Sequence, residues 1–363
     1  MFLNNLQIEN FRNFEKINLD FSDTINIFYG KNGSGKTNIL EAIFIILLTR
    51  SFRGAADSII VNDHSDYYRL EGNITAYERP HQLASVYQKN SRKKIEINRV
   101  ASRPSDLFDL CAAVSASPID IEILSGSPSK RRDFINIYLA QASGRYLSDL
   151  SDYQKVLAHK NAYLKQNRNG RDNPYDDLLV KYGVSIMLAR RKFLDSISIS
   201  TIEYYRKISA DHNLRIEYKP SVAIDHDDWN EDVIEKAFWD KLNHNREREM
   251  ILQTAMVGPH RDEVEVYIRD YPARSHGSQG ELRSAAISLK LGVYDYLSKI
   301  KNCRPVLLLD EIFAELDPGR QEMLVEIFSG FGQIFITTAS RIPESLESRA
   351  KKFEIDNGTV LMQ

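Results

Sequence analysis

The chain has 363 residues, of which 42% are hydrophobic and 27% charged; that is enough apolar material for a sizeable core, and it excludes a disordered protein. Its 48 Lys and Arg against 50 Asp and Glu give a formal charge of −2, so the molecule is no polycation and any nucleic-acid surface must be a local patch. Two cysteines, Cys111 and Cys303, exclude a disulfide framework, and with no spanning apolar run or secretory leader the expectation is a soluble, cytoplasmic protein.

From Leu3 to Tyr29 the stretches LNNLQIENF, FEKINLDF and TINIFYG read as short strands that end in a glycine-rich turn. Asn38 to Leu48 reads as a buried helix, and YYRLEGNITAY, QLASVYQ and KKIEINR between Tyr67 and Ile97 predict an antiparallel sheet. Beyond residue 130 the period changes: Tyr146, Leu150, Tyr153, Leu157 and Leu164 recur at spacings built from three and four. After the polar break QNRNGRDNP the same period returns in Leu179, Tyr182, Ile186, Ala189 and Phe193. These seams predict an antiparallel arm of two helices; at roughly 35 residues each and about 1.5 Å per residue it extends on the order of 50 Å. Residues 222 to 250 carry a net charge of −5. From Gly258 strand and helix patterns alternate again, with VEVYIRD, a helix from Gly280 to Leu297, VLLLDEIF and QIFITT.

Gly30 to Thr37, GKNGSGKT, satisfies GxxxxGK[ST] between a strand-like and a helix-like run, the context the motif requires. Glycines at Gly30, Gly33 and Gly35 let backbone N–H groups curl around phosphate oxygens, and the helix N-terminus adds its partial positive charge. Lys36 can then reach the β- and γ-phosphates while Thr37 offers a hydroxyl to Mg²⁺. Val306 to Leu309 deliver Asp310 and Glu311 at the carboxyl end of a strand, where ligands of open α/β sheets collect. Asp310 would hold Mg²⁺, and Glu311 would orient and deprotonate an attacking water; an acidic turn with no such role is the plain alternative. Ser278-Gln279-Gly280-Glu281 before a helix reads either as an anion-binding helix start or as a simple capping box.

Ser278 lies 32 residues before Asp310, and Asp317 comes six residues after Glu311. This order of phosphate loop, Ser-Gln-Gly segment, acidic strand and Asp-bearing loop resembles ATP-binding-cassette ATPases. With LQIENFRNFEKINLDF, GKNGSGKTNILEAI, RSFRG, GPHRDE, SQGELRS and LLLDEIFAELDPGRQ, the chain resembles the RecF family of SMC-like ATPases over nearly its whole length. The resemblance implies an α/β fold, an ABC/SMC-type P-loop ATPase head of residues 1–130 and 251–363 with a helical arm domain inserted at 131–250. It implies ATP and Mg²⁺ as cofactors, held by Gly30, Lys31, Asn32, Gly33, Ser34, Gly35, Lys36 and Thr37. Ser278, Gln279 and Gly280 would be a signature motif that closes the nucleotide site of a second protomer, and Asp317 an inter-protomer contact. Lys36, Asp310 and Glu311 would be catalytic, with Thr37 and Asp310 on the metal.

The family further implies an ATP-dependent homodimer on single-stranded, duplex or junction DNA, weak DNA-stimulated ATP hydrolysis, and no membrane. RecO and RecR would be partners, in recombinase loading at gaps and in SOS induction. The basic run Lys89, Arg92, Lys93, Lys94, Arg99 and Arg103, opposed only by Glu96, is either a solvated hairpin face or a DNA surface. The resemblance favours DNA, with Arg92, Lys93, Lys94, Arg131 and Arg132 as candidate contacts. Two departures stand out: Thr338 and Ala339 follow QIFITT where transporter-type cassettes place a switch histidine, and SASPIDIEILSGSP has Ile119 where the family expects an acid and holds no lid glutamine. His260, Arg261 and Asp262 read either as a sensor of nucleotide or DNA, or as a buried network joining arm to head. A transporter subunit is the rival, disfavoured by the arm and by both departures.

Overall fold

The helix Lys36–Leu48 is apolar on nearly every side, which calls for cover on more than one face. In the computed structural model, which describes residues 1–166, 173–209, 213–224, 228–339 and 343–362, it packs against strands of two six-stranded sheets, and 11 of its 13 residues are buried. The first sheet is antiparallel, in the order Phe14–Asp20, Phe2–Phe11, Tyr67–Ala76, Arg79–Gln88, Lys94–Ile97, Val100–Ala101. Alternate residues Tyr68, Leu70, Gly72, Ile74 and Ala76 point into the core, the pattern of a sheet with one covered face.

The second sheet runs Thr359–Met362, Ala350–Asp356, Ile25–Tyr29, Ile334–Thr338, Val306–Asp310, Ala113–Ala116, and every pairing but the first is parallel. Its central strands are buried throughout, as the continuous apolar runs VLLL and IFI require. Gln333 ties the sheets together: its side chain accepts from Leu3 N at 2.7 Å and donates to Leu3 O at 2.8 Å. Parallel pairing sets Asp310 opposite Thr337 and Thr338 opposite Tyr29, so the phosphate loop and the acidic pair share one sheet edge.

These sheets belong to one of two compact units, made of Met1–Ile121, Glu203–His212 and Ser278–Gln363. The other, Glu122–Ile202 with Asn213–Gly277, is wider than the expected 131–250 insertion. Its small antiparallel sheet explains the extension past residue 250, because Leu214–Lys219 pairs with Glu263–Ile268. The end of the long helix Asp176–Ser209 returns to the first unit, where Tyr204 donates to Asp295 Oδ1 at 3.1 Å.

Within the second unit the helices Gly144–Gln166 and Asp176–Ser209 lie antiparallel, joined by Lys160 to Asp176, Ser185 to Asp149 and Arg190 to Tyr146. They have 23 and 34 residues, against the equal lengths expected, and they are no bare arm. The helix Glu231–Leu252 lies along the first through the Lys160–Glu249 ion pair at 2.8 Å, and Ala255 N donates to Asn161 Oδ1 at 2.7 Å. Most of the break QNRNGRDNP, at 167–172, lies outside the described residues. Cys111 and Cys303 are free thiols, and among the described residues no helix is long and apolar enough to cross a membrane.

Candidate nucleotide site

The phosphate loop turns through three glycines with positive φ, Gly30 at 146°, Gly33 at 80° and Gly35 at 115°. Space adds a second demand at two of them. A Cβ on Gly30 would run into the Ile355 carbonyl, and one on Gly35 would lie 2.6 Å from Asn13 Nδ2. Asn13 braces the loop from outside, donating to Ser34 O at 3.0 Å and accepting from Asn38 Nδ2 at 2.8 Å. Gly35 also serves as the N-cap of Lys36–Leu48 and brings no side-chain acceptor to that helix start, so the N-terminal amides stay suited to an anion. The Ser34 hydroxyl, buried inside the loop, has no hydrogen-bond partner among the described residues. Lys36 donates to the carbonyls of Gly30 at 2.9 Å and Lys31 at 3.0 Å and pairs with Glu311 Oε1 at 3.1 Å.

Two threonine hydroxyls converge on one carboxylate oxygen. Thr37 Oγ1 and Thr337 Oγ1 each donate to Asp310 Oδ1 at 2.7 Å. Burial pushes the Asp310 carboxyl up from its ordinary value, and the two hydroxyl bonds oppose that by stabilising the charge. With its proton committed to Asp310, the Thr37 oxygen keeps lone pairs beside a carboxylate, which suits a hard divalent cation. Next along the chain, Glu311 has φ 50°, in the left-handed region that non-glycine residues seldom adopt. Its N–H is held by Thr337 O at 3.2 Å and Thr337 Oγ1 at 3.0 Å, and its Oε2 accepts from Ala339 N at 3.0 Å. Glycine cradle, orphan hydroxyl, lysine and the threonine–carboxylate pair together fit a nucleotide phosphate and its Mg²⁺.

A second charged group is centred on Glu41 of the loop helix itself. Glu41, fully buried, accepts from Arg12 Nε at 2.9 Å and Nη2 at 3.0 Å and from the Ser51 hydroxyl at 2.5 Å. Arg53 approaches within 3.9 Å of the same carboxylate and donates to Asn38 Oδ1 at 3.4 Å.

The chain is similar to known proteins over nearly its whole length. A family model described as RecF/RecN/SMC N terminal domain matches residues 2–355. A protein of Lachnoclostridium phytofermentans named DNA replication and repair protein RecF is 35% identical over 370 residues, which cover 99% of each chain. This chain belongs to the RecF family. A solved RecF–ATP structure, described as that of the recombination mediator protein of the RecFOR pathway, is 29% identical with a TM-score of 0.91, covering 100% of this chain and 97% of the other. An SMC head bound to the C-winged helix domain of ScpA shares the fold alone, with a TM-score of 0.56 at 14% identity over 100% of this chain and 98% of the other.

The other candidate residues are spread over several elements. Ser278 caps the helix Gln279–Lys301 in a reciprocal capping box: Glu281 Oε2 accepts from Ser278 N and from the Ser278 hydroxyl, both at 2.8 Å. Asp317 caps Pro318–Phe328, and Arg320 joins the two segments, 3.2 Å from Asp317 and donating to Gly280 O at 3.3 Å. Two of the expected DNA contacts are engaged elsewhere. Arg131 is 4% exposed and grips Glu263 with Nε at 2.6 Å and Nη2 at 2.8 Å, and Lys93 pairs with Asp57 at 2.6 Å and donates to Thr49 O at 2.7 Å. Arg132 is half-buried and donates to Asp262 O at 3.0 Å, which leaves Arg92 and Lys94 exposed.

His260, Arg261 and Asp262 form a network inside the second unit. Asp262 pairs with buried Arg190 at 3.2 Å and accepts from Tyr218 and from Ser221 N, and His260 meets Tyr153. In the stretch SASPIDIEILSGSP, Asp120 pairs with Lys290 at 2.8 Å, while Ile119 is 49% exposed. The sequence reading missed Arg12, Asn13, Glu41 and Thr337. Only Glu41 left a signal, as the one charged residue inside the apolar run NILEAIFIILL.

Proposed function

We propose that this chain binds ATP with Mg²⁺ at Gly30–Thr37, hydrolyses it slowly, and uses it to bring two copies together on DNA during recombinational repair and replication. The observation that carries the reading is that Lys36, Thr37, Asp310 and Glu311, brought together from two distant segments, form one hydrogen-bonded group at the sheet edge. Lys36 supplies the cation for the β- and γ-phosphates. Thr37 and Asp310 hold the metal, which when bound offsets the charge that develops on the transferred phosphoryl group. Glu311 takes the proton of the attacking water, and its backbone and both carboxylate oxygens are fixed before any substrate arrives.

DNA as partner follows the names of the relatives and the exposed cations Lys94, on the antiparallel sheet, and Arg92 and Arg99, in the connections flanking its strand Lys94–Ile97. Stimulation by DNA, contact with RecO and RecR, recombinase loading at gaps, SOS induction and a cytoplasmic location follow the family. The head and arm division of labour does too, with the second unit as arm.

Glu311→Gln tests the core of this reading. An amide still accepts a hydrogen bond from water but cannot take its proton, so turnover should fall by about 10²-fold or more while ATP binding persists. Sedimentation with ATP and DNA should then show a longer-lived dimer, and Lys36→Ala should show neither binding nor dimer. Turnover at the wild-type rate in Glu311→Gln would overturn the assignment.

A further inference from the structure

A threonine hydroxyl has one proton to give and lone pairs with which to accept. Thr337 uses both in one place. Its proton goes to Asp310 Oδ1 at 2.7 Å, and its oxygen accepts the Glu311 N–H at 3.0 Å. The direction of each bond is fixed by chemistry, since an ionised carboxylate has no proton to offer and an amide N–H cannot accept. One oxygen atom on the neighbouring strand Ile334–Thr338 therefore holds both members of the acidic pair, Asp310 by its side chain and Glu311 by its backbone.

Glu311 needs such support. Its φ of 50° is a conformation that persists in a non-glycine residue only where surrounding contacts over-determine it. Thr337 supplies two of them, through carbonyl and hydroxyl. Asp310 needs support for a different reason. It is 9% exposed, and its Oδ1 is the meeting point of Thr37 from the phosphate-loop helix and Thr337 from the far side. Without Thr337, that oxygen is anchored from the loop side alone.

We infer that Thr337 is a positioning residue for ATP hydrolysis, which sets the carboxylate of Asp310 and the backbone of Glu311 relative to each other. The inference rests on the ATPase reading above. Thr337 itself is completely buried and acts through the two acids.

Valine keeps the branched shape and removes the hydroxyl. Thr337→Val should lower kcat by about 10- to 100-fold, the scale of loss from a displacement of about an ångström at reacting groups, and should leave KM and the Kd for ATP within about twofold. Thr337→Ser keeps the hydroxyl and should recover kcat to within about threefold of wild type. Steady-state hydrolysis and ATP titration of the three full-length proteins decide the matter. An active wild type with an equally active Thr337→Val overturns the inference alone. So does a Thr337→Ser that fails to recover, or a Thr337→Val that loses ATP affinity as much as turnover, because either outcome marks Thr337 as packing. A wild type that binds ATP without turning it over overturns the ATPase reading, and this inference with it.

Discussion

His260 shows how much a single side chain depends on where it is buried. Its Nδ1 lies 2.6 Å from the Tyr153 hydroxyl and its Nε2 3.1 Å from the Ala255 carbonyl. A neutral ring satisfies both, with Nε2–H donating to the carbonyl and Nδ1 accepting from tyrosine. Burial pushes its pKa down to about 4, against the opposing pull of the Ala255 carbonyl. The unfolded chain therefore takes up a proton near pH 6.5 that the folded chain refuses until about pH 4. The corresponding stability is fully present above pH 6.5 and drains away as pH falls through that window. Between pH 7 and pH 5 the wild type should lose on the order of 1–2 kcal/mol more than His260→Gln. Urea unfolding of both proteins at the two pH values measures the difference, and equal losses would show that the ring charges freely in the fold.

At the scale of elements, Lys160 is the feature that the hydrophobic pattern could not show. The expected seam on Gly144–Gln166 was Tyr146, Leu150, Tyr153, Leu157 and Leu164, and the residues buried there are Tyr146, Tyr153, Val156, Lys160 and Leu164. Lys160 is 1% exposed and lies 2.8 Å from both Asp176 and Glu249, so one ammonium pins three helices. Removing it as Lys160→Met leaves two buried carboxylates without their main cation, with Arg246 only 3.7 Å from Asp176 to compensate. The expected cost is about 3–5 kcal/mol, read as a lower urea midpoint. Replacing both acids by amides in the same variant should return most of it, and a neutral single variant would show that the pairing is dispensable. The same physics sorts what could be read from the sequence. GKNGSGKT and VLLLDE announce themselves because each motif is contiguous and its chemistry lies in its spacing. Arg12, Asn13, Glu41 and Thr337 matter through partners that only the tertiary pairing of strands supplies, and no local period marks them. Lys93 and Arg131 show the converse: charge is visible in a sequence, but its pairing with Asp57 and Glu263 is not.

For the whole molecule the question is whether one copy suffices. Lys36, Thr37, Asp310, Glu311 and Thr337 form one bonded group, and Ser278, Gly280, Glu281, Asp317 and Arg320 form another. Under the proposed function the second group acts on nucleotide held by the first group of another copy. The capping box commits the Ser278 hydroxyl proton to Glu281, yet the first amides of the helix and its dipole still favour an anion. Replacing Ser278 by Arg places a long side chain where phosphate is to dock, so Ser278→Arg should keep ATP binding by the single copy and lose ATP-driven dimerisation. Mixing it with Lys36→Ala sharpens the test. In a mixed dimer one site joins an intact loop to an intact signature, while the other joins both damaged parts. Sedimentation with ATP should show dimer in the mixture and little in either variant alone, with at most half the composite sites competent. Ser278→Arg that dimerises alone at the wild-type ATP concentration would remove the composite site and leave an ATPase that works as a single copy.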